Sequence, residues 1–259
     1  MVGTSGGNAE NELQRLLATY SAWADSQLAP QLKALSEWLA SVDLPSLKQQ
    51  LHEHIRFWEH EVPAILKDSV AATGLLVPIS QMSYLELKDL MNRFQSHGMD
   101  GVAKRVGELQ DEIFARPDFL SLLASEWSSH SLTKRHIHIL EQALEAHRLL
   151  MFGVSVPALI AQFEGLVVDA TFHHGRMGGA ELKAHVAEFS AHEDLVEDMF
   201  SSFVADVMLK EFWHGFPVPA FSRHAILHGG DIDYATEANS RTAILLIDQL
   251  RCLVTADEQ

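Results

Sequence analysis

Apolar side chains recur at intervals of three and four residues along most of this chain, and the apolar–polar alternation of β-strands is nearly absent. This spacing gathers the apolar side chains on one face of an α-helix. One clear example is Leu132, Ile139, Leu140, Ala143, His147 and Leu150, and another is Ala243, Leu246, Ile247 and Leu250. The pattern predicts an all-α protein.

The chain of 259 residues is long enough for one large domain or two modest ones. Residues 1–9 are small and glycine-rich and are predicted to be a disordered leader. Residues 10–117 are predicted to form an N-terminal helical region, with a boundary near Pro117. Residues 118–259 contain four major helical segments, which indicate a four-helix bundle with one interrupted member.

Local signals predict where several helices begin and end. Capping boxes predict helix starts after Ser83 and Ser190, the second helix continuing to about residue 213. A break is expected at residues 97–101, and Pro157 is expected at the first position of a helix. A short helical turn at residues 222–228 should end at two glycines, before a last helix over residues 236–254.

The net charge of −16 gives the chain no broad electrostatic attraction for nucleic acids or anionic membranes. Any site for a polyanion must therefore be a local pocket. A single cysteine, Cys252, cannot build a disulfide framework. We expect a cytoplasmic protein that does not associate with membranes, and no motif for a cofactor is recognised.

Candidate chemistry centres on Arg223 and His228, which are separated by four residues, with His224 between them. An arginine can grip two phosphate oxygens, and a histidine can exchange a proton near neutral pH. On a regular helix Arg223 and His228 would diverge by about 140°. They can share a phosphate only if the following glycines unwind the turn or if two chains meet. His224 and His228, four apart, should lie on one face.

The Arg–x4–His spacing, the stretch PALIAQFEG at residues 157–165 and the run from Arg223 to Leu250 resemble the HEPN-like family of bacterial helical-bundle proteins. The resemblance covers about residues 127–254. It implies a four-helix bundle that forms a homodimer with facing sites, and metal-independent endoribonuclease activity in a defence or toxin-like effector. The implied catalytic residues are Arg223, His228 and His224, supported by Glu164, with RNA as the substrate and a regulatory protein as a further partner.

Other interpretations of the same residues stay open. Arg223 could pair with a carboxylate while His228 caps a helix end, which would make the turn purely structural. Glu164 lies in an apolar segment and needs a partner, which could be Arg223, His228 or another bundle residue. From Asp118 onward twenty acidic residues stand against nine basic ones. This acidity favours the alternative of a non-catalytic HEPN-like module that binds RNA, a nucleotide or a protein.

The remaining histidines suggest a metal site only weakly. Glu181, His185, Glu188 and His192 form one helical stripe, and Glu211 with His214 forms a second pair, but we expect a solvated helix face and no metal. The pairs His52/His54 and His136/His138 are predicted to be surface residues, and the Trp and Phe side chains at helical spacing to be core.

Overall fold

The computed structural model describes Gln49 and residues 56–57, 61–189 and 195–256. These ranges contain nine α-helices and no β-strand, which confirms the all-α prediction over the part of the chain that is described. The predicted leader, the first helical patterns, His52, His54, and the capping box at Ser190 with His192 lie outside the described residues.

The described residues form nine α-helices in chain order. They are α1 (Val62–Thr73), α2 (Tyr84–Phe114), α3 (Phe119–Ser129), α4 (Ile137–Arg148), α5 (Phe152–Thr171), α6 (Gly179–Phe189), α7 (Leu195–Ser202), α8 (Arg223–Leu227) and α9 (Glu237–Ala256). All nine belong to the second of two compact units, which cover residues 1–58 and 59–259. The predicted boundary near Pro117 falls between α2 and α3 and stays a prediction.

Helix α5 is the central element of the second unit. It packs most extensively against α4 and α9, and also contacts α6 and α8. Its inward face repeats at helical spacing and is buried, comprising Val156, Leu159, Ile160, Phe163, Leu166 and Val167. Burial of this face stabilises the fold by removing apolar surface from water.

By length and composition alone, α5 is also apolar enough to cross a membrane, with a mean hydropathy of 1.4. It is the one described helix of which this is true, and a core helix passes the same test. The carboxylates of Glu164 and Asp169 on α5 pair with Arg223 and Arg135, so this helix carries ionic contacts within the protein.

The start of α5 differs from the prediction. The helix begins at Phe152, two residues after Leu150, which is in the left-handed region (φ 59°), so Pro157 lies inside α5 rather than at its first position. Pro157 has no N–H to donate to the carbonyl of Gly153, four residues earlier. The hydroxyl of Tyr234 donates to that carbonyl instead, at 3.0 Å. A partner from the segment before α9 therefore replaces the missing helical hydrogen bond.

Helix α2 shows both predicted signals. The Ser83 side chain accepts from the amide of Glu86, whose carboxylate accepts from the Ser83 amide, so the predicted capping box is confirmed. The predicted break is a kink at Gly98, where the backbone takes φ 61° and ψ −151°. Only glycine adopts this conformation readily.

Two other helix boundaries were predicted wrongly. The segment expected to be helical from Leu132 forms turns up to residue 136, and α4 begins at Ile137. The helix expected to reach residue 213 runs through α7 into a π-helical segment, Phe203–Met208, and ends there. Residues 210–220 are consequently a loop.

A buried polar network joins the three central helices. His147 of α4 lies 2.8 Å from the hydroxyl of Ser240 on α9, which donates to the hydroxyl of Ser155 on α5 at 2.9 Å. Both serines are fully buried and His147 is 7% exposed. Since each polar group has a partner, the network fixes the relative register of α4, α5 and α9.

Candidate functional site

The five-residue helix α8 and its C-cap carry the three predicted site residues of the last loop. Ser222 is its N-cap, and the serine hydroxyl accepts from the amide of Ala225 and donates to the carbonyl of Lys210 at 3.0 Å. His228 is the C-cap, and Gly229 follows in the left-handed region with φ 70°. The predicted turn at residues 222–228 is therefore confirmed.

Arg223 forms an ion pair with Glu164 of α5. The two side chains are 20% and 27% exposed, so the pair lies at the edge of the protein interior. The structure thus identifies the partner of Glu164, which the sequence left open between Arg223, His228 and another residue. The Nε of Arg223 is buried and has no hydrogen-bond acceptor among the described residues. The Nε of Arg241 shares this property, so it does not by itself distinguish Arg223 as an anion site.

His224 and His228 lie on one face of α8, as their spacing predicts. Their rings are stacked, with centroids 5.5 Å apart and an interplanar angle of 24°. Burial lowers the pKa of His224, and the nearby charges of Arg223 and His228 lower it further. His224 is therefore neutral at neutral pH and free to accept a proton. His228 is exposed to solvent.

The predicted site residues form two separate pairs in the structure. The ring contact joins His224 to His228, and the ion pair joins Arg223 to Glu164. Within the described part of the chain no hydrogen bond links Arg223 directly to His228. His224 follows Arg223 directly in the chain and stacks on His228. The assignment of all four as a catalytic set stays a prediction.

The Gln–x–Glu–Gly stretch of α5 also contacts His136, which directly precedes α4. Nδ1 of His136 lies 2.7 Å from Gln162 Oε1, and its Nε2 lies 3.0 Å from Asp169 Oδ2. A side chain at Gly165 would press on His136, since an added Cβ would lie 3.1 Å from the ring. The prediction that His136 is a surface residue is therefore wrong, because these contacts hold its ring against α5. His138 is exposed, as predicted.

The start of α9 has comparable structural contacts. The hydroxyl of Thr236 accepts from the amide of Asn239, and the Asn239 side chain donates to the carbonyl of Tyr234 at 2.9 Å. These contacts cap the helix and hold Tyr234 over the first turn of α5. Of the residues on which the family resemblance rests, those on α5 and α9 thus contribute to packing and capping. Arg223, paired with Glu164, and His228, at the C-cap of α8, also have the contacts that the purely structural interpretation of this turn requires.

The loop at residues 210–220 begins earlier than the sequence predicts, since the helix was expected to reach residue 213 and a rigid loop was expected only at residues 215–219. Trp213 is 67% exposed, so the expectation that the Trp and Phe side chains at helical spacing are core is wrong for this residue. Phe216, in the predicted loop, is 70% exposed. The helix ends before them, and the Pro217–x–Pro219 segment prevents its continuation. The available signal was the sequence FWHGFPVP, in which aromatic residues alternate with helix-breaking ones.

Other chemistries find less support. Among the described residues no group of three or more His, Cys, Asp or Glu side chains is placed to hold a metal ion. His185 is 3.2 Å from Glu188 and its ring meets that of His173, while His192 lies outside the described residues. Burial, together with Asp248, raises the pKa of Cys252 to about 11, so its thiol is a poor nucleophile at neutral pH.

One cleft among the described residues lies away from α8. It has a volume of about 470 Å³ between α3 and α4, and its polar lining is His138, Glu141, Gln142, Glu145 and Arg148. None of the candidate site residues lines it. Comparisons of this chain with protein-family models, with curated proteins and with solved structures find no match.

Proposed function

We propose that this protein is a metal-independent endoribonuclease whose active site is built on α8. Arg223, His228 and His224 would act on the scissile phosphate, and Glu164 would position Arg223. The observation that carries the proposal is the pair of stacked imidazoles, His224 with a lowered pKa and His228, on the same short turn as Arg223. This combination supplies proton transfer and anion binding at one place.

The reaction needs two proton transfers. The ribose 2′-oxygen attacks the adjacent phosphorus and loses its proton, while the bond from phosphorus to the 5′-oxygen breaks and that oxygen gains a proton. We assign the accepting role to His224, because its lowered pKa keeps it neutral. His228, exposed beside it, returns a proton to the leaving oxygen. The products are a cyclic 2′,3′-phosphate and a 5′-hydroxyl.

Arg223 would stabilise the charge that develops on the phosphate oxygens. Its pairing with Glu164 leaves the guanidinium oriented and partly exposed. Such a pair restrains a long side chain before substrate arrives, which reduces the cost of ordering it.

The resemblance to HEPN-like proteins adds the biological setting. It supports a C-terminal four-helix bundle, a homodimer with two facing sites, a cytoplasmic location and a role in defence or a toxin-like system with a regulatory protein. The packing of α5 against α4, α9 and α6 is compatible with such a bundle.

The test is cleavage of single-stranded RNA in excess chelator. We expect the wild type to cleave RNA but not DNA of the same sequence, and to yield cyclic-phosphate ends detectable by mass spectrometry. Arg223→Ala, His224→Ala and His228→Ala should each lower the rate by at least about 100-fold, the usual contribution of such groups. Absence of wild-type cleavage, or full activity in all three variants, would refute the proposal.

Matched variants separate chemistry from folding. His138→Ala removes an exposed histidine of α4, and Glu141→Gln removes an exposed carboxylate of the same helix. Both should retain wild-type rates. Glu164→Gln should lower kcat by about tenfold, a loss of about 1.4 kcal/mol of transition-state stabilisation, because Arg223 loses its charged partner.

A second candidate is a non-catalytic HEPN-like module that binds RNA, a nucleotide or a protein. The engagement of Arg223 by Glu164 favours it, because the guanidinium is already paired. The net charge of −16 favours it as well. RNA binding that is lost in Arg223→Ala, without cleavage under any condition, would support this module over the enzyme.

A further inference from the structure

The loop at residues 210–220, called here the aromatic loop, exposes large apolar side chains next to α8. Trp213 and Phe216 are 67% and 70% exposed, and Val218 is 42% exposed. Isolated exposed apolar residues are common, but a group on one short loop beside a candidate site marks a contact surface.

Contacts hold the first half of the aromatic loop, residues 210–214, next to α8. The hydroxyl of Ser222, the N-cap of α8, donates to the carbonyl of Lys210 at 3.0 Å. The ring of Phe212 lies against Gly230 so closely that a side chain there would collide with it. Phe212 in turn meets the ring of His214, with centroids 4.9 Å apart. These contacts hold the loop beside the turn that carries His228.

The local charge differs from that of the whole molecule. Residues 210–228 carry two cations, Lys210 and Arg223, and one carboxylate, Glu211, together with three histidines. The rest of the chain supplies the strong excess of acidic residues, including Asp231 and Asp233 just beyond this segment. Glu164, which pairs with Arg223, balances the charges around α8, so this part of the protein lacks the acidic excess of the rest of the chain. A ligand of the aromatic loop is therefore expected to present a flat, apolar surface, and a negatively charged ligand is repelled less here than elsewhere.

We propose that the aromatic loop is a stacking platform for the unpaired bases of single-stranded RNA, with Trp213 as the principal contact. This rests on the proposed function and names its substrate as unpaired strand. Every base presents a π-face to an aromatic ring, so stacking favours single strands without strong sequence preference. In a duplex the bases are stacked on one another and cannot reach Trp213.

The experiment measures the binding of a fluorescent RNA octamer by anisotropy. The octamer carries 2′-O-methyl groups, which remove the attacking hydroxyl and prevent cleavage during the measurement. A second octamer has the same backbone with abasic sites, and a third probe is a duplex of the same sequence.

Trp213→Ala should weaken binding of the single strand by about tenfold, within the range of about 5- to 150-fold that stacking of one base contributes. Trp213→Phe should restore most of the affinity. Tyr84→Ala, which removes an exposed aromatic ring at the start of α2, should leave it unchanged. The abasic octamer and the duplex should bind weakly and equally to wild type and Trp213→Ala.

The stacking proposal is overturned if Trp213→Ala binds the octamer as the wild type does, if the abasic octamer binds equally well, or if no probe binds. Cleavage of ordinary RNA by the wild type with unchanged octamer binding by Trp213→Ala would refute stacking but not the nuclease. Trp213-dependent binding without cleavage of ordinary RNA would refute the nuclease but not stacking.

Discussion

His147 lies between the rings of Phe114 and Phe152, with centroids 5.4 and 5.6 Å away, and is 7% exposed. The Ser240 hydroxyl, whose own proton goes to Ser155, accepts from Nδ1 of the imidazole. Burial lowers the pKa of His147, because the charged form would lose its hydration among apolar neighbours.

This burial predicts a pH-dependent stability. In the unfolded chain His147 has an ordinary pKa of about 6.5, whereas in the folded chain its pKa is lower. The contribution of His147 is therefore present above pH 6.5 and is lost as the pH falls toward the folded pKa. As the pH falls from 6.5 to 5, the free energy of unfolding of the wild type should decrease. We expect His147→Gln to make this decrease smaller, by at most about 1.4 kcal/mol per pH unit.

Urea unfolding at several pH values checks this expectation. His138→Gln, at an exposed position of the same helix, should keep the wild-type pH dependence. An identical slope in wild type and His147→Gln would show that protonation of His147 is not coupled to unfolding.

Some contacts between residues could be predicted from the sequence, and others could not. The pairing of His224 with His228 follows from their spacing along one short helix, and it was predictable. The partner of Arg223 was not, because Glu164 lies 59 residues earlier and only the packing of α8 on α5 brings the two together. His136 was misjudged for the same reason, since its acceptors are on a different helix.

At the scale of the helix, Tyr234 and Pro157 form a compensating pair. The Tyr234 hydroxyl donates to the Gly153 carbonyl that Pro157 leaves without a helical donor. We expect Tyr234→Phe to lower the free energy of unfolding by about 1 kcal/mol. In a Pro157→Ala background the new amide at residue 157 can donate to Gly153, so the cost of Tyr234→Phe should be smaller.

A double-mutant cycle by urea unfolding measures this coupling. The expected interaction energy is about 0.5 kcal/mol or more. Additive effects of Tyr234→Phe and Pro157→Ala would mean that the tyrosine stabilises α5 in some other way.

Helix α2 offers a test of its kink. Gly98 has φ 61° and ψ −151°, and no atom lies within 4 Å of a Cβ added there, so any cost of Gly98→Ala is backbone strain. We expect Gly98→Ala to lower the free energy of unfolding by about 1–3 kcal/mol. Gly107, in the same helix and equally unobstructed, is the matched control, and Gly107→Ala should raise stability by about 0.5–1 kcal/mol. Equal stability of the two variants would contradict this account of the kink.

Helix starts and stops were predictable where the signal is local, as in the capping box at Ser83 and the break near Gly98. Helix starts and stops were not predictable where a residue far away in the sequence supplies or removes a hydrogen bond of the helix. Pro157 would ordinarily mark a helix start, but Tyr234 allows α5 to begin five residues earlier. Trp213 was assigned to a helix because its apolar character fits helical spacing, although the chain leaves the helix after Met208.

For the whole molecule, the all-α class follows from periodicity, while the arrangement of the helices depends on contacts between distant segments. The net charge is readable from composition alone and has a direct consequence for any interaction with RNA. A chain with 35 acidic and 19 basic residues repels a polyanion everywhere except where cations are gathered. Around α8 the cations are Arg223 and Lys210.

These few cations predict a weak dependence of RNA binding on salt. Each neutralised phosphate of a single strand contributes a slope of about −0.7 to a plot of log affinity against log salt concentration. Two contacts, by Arg223 and Lys210, give about −1.4, and screening of the overall repulsion flattens the slope further. Lys210→Ala should bring it closer to zero by about 0.7. Anisotropy with the 2′-O-methyl octamer at increasing salt concentrations measures the slope. A slope steeper than about −3 would require a broad basic surface, which the composition of this chain argues against.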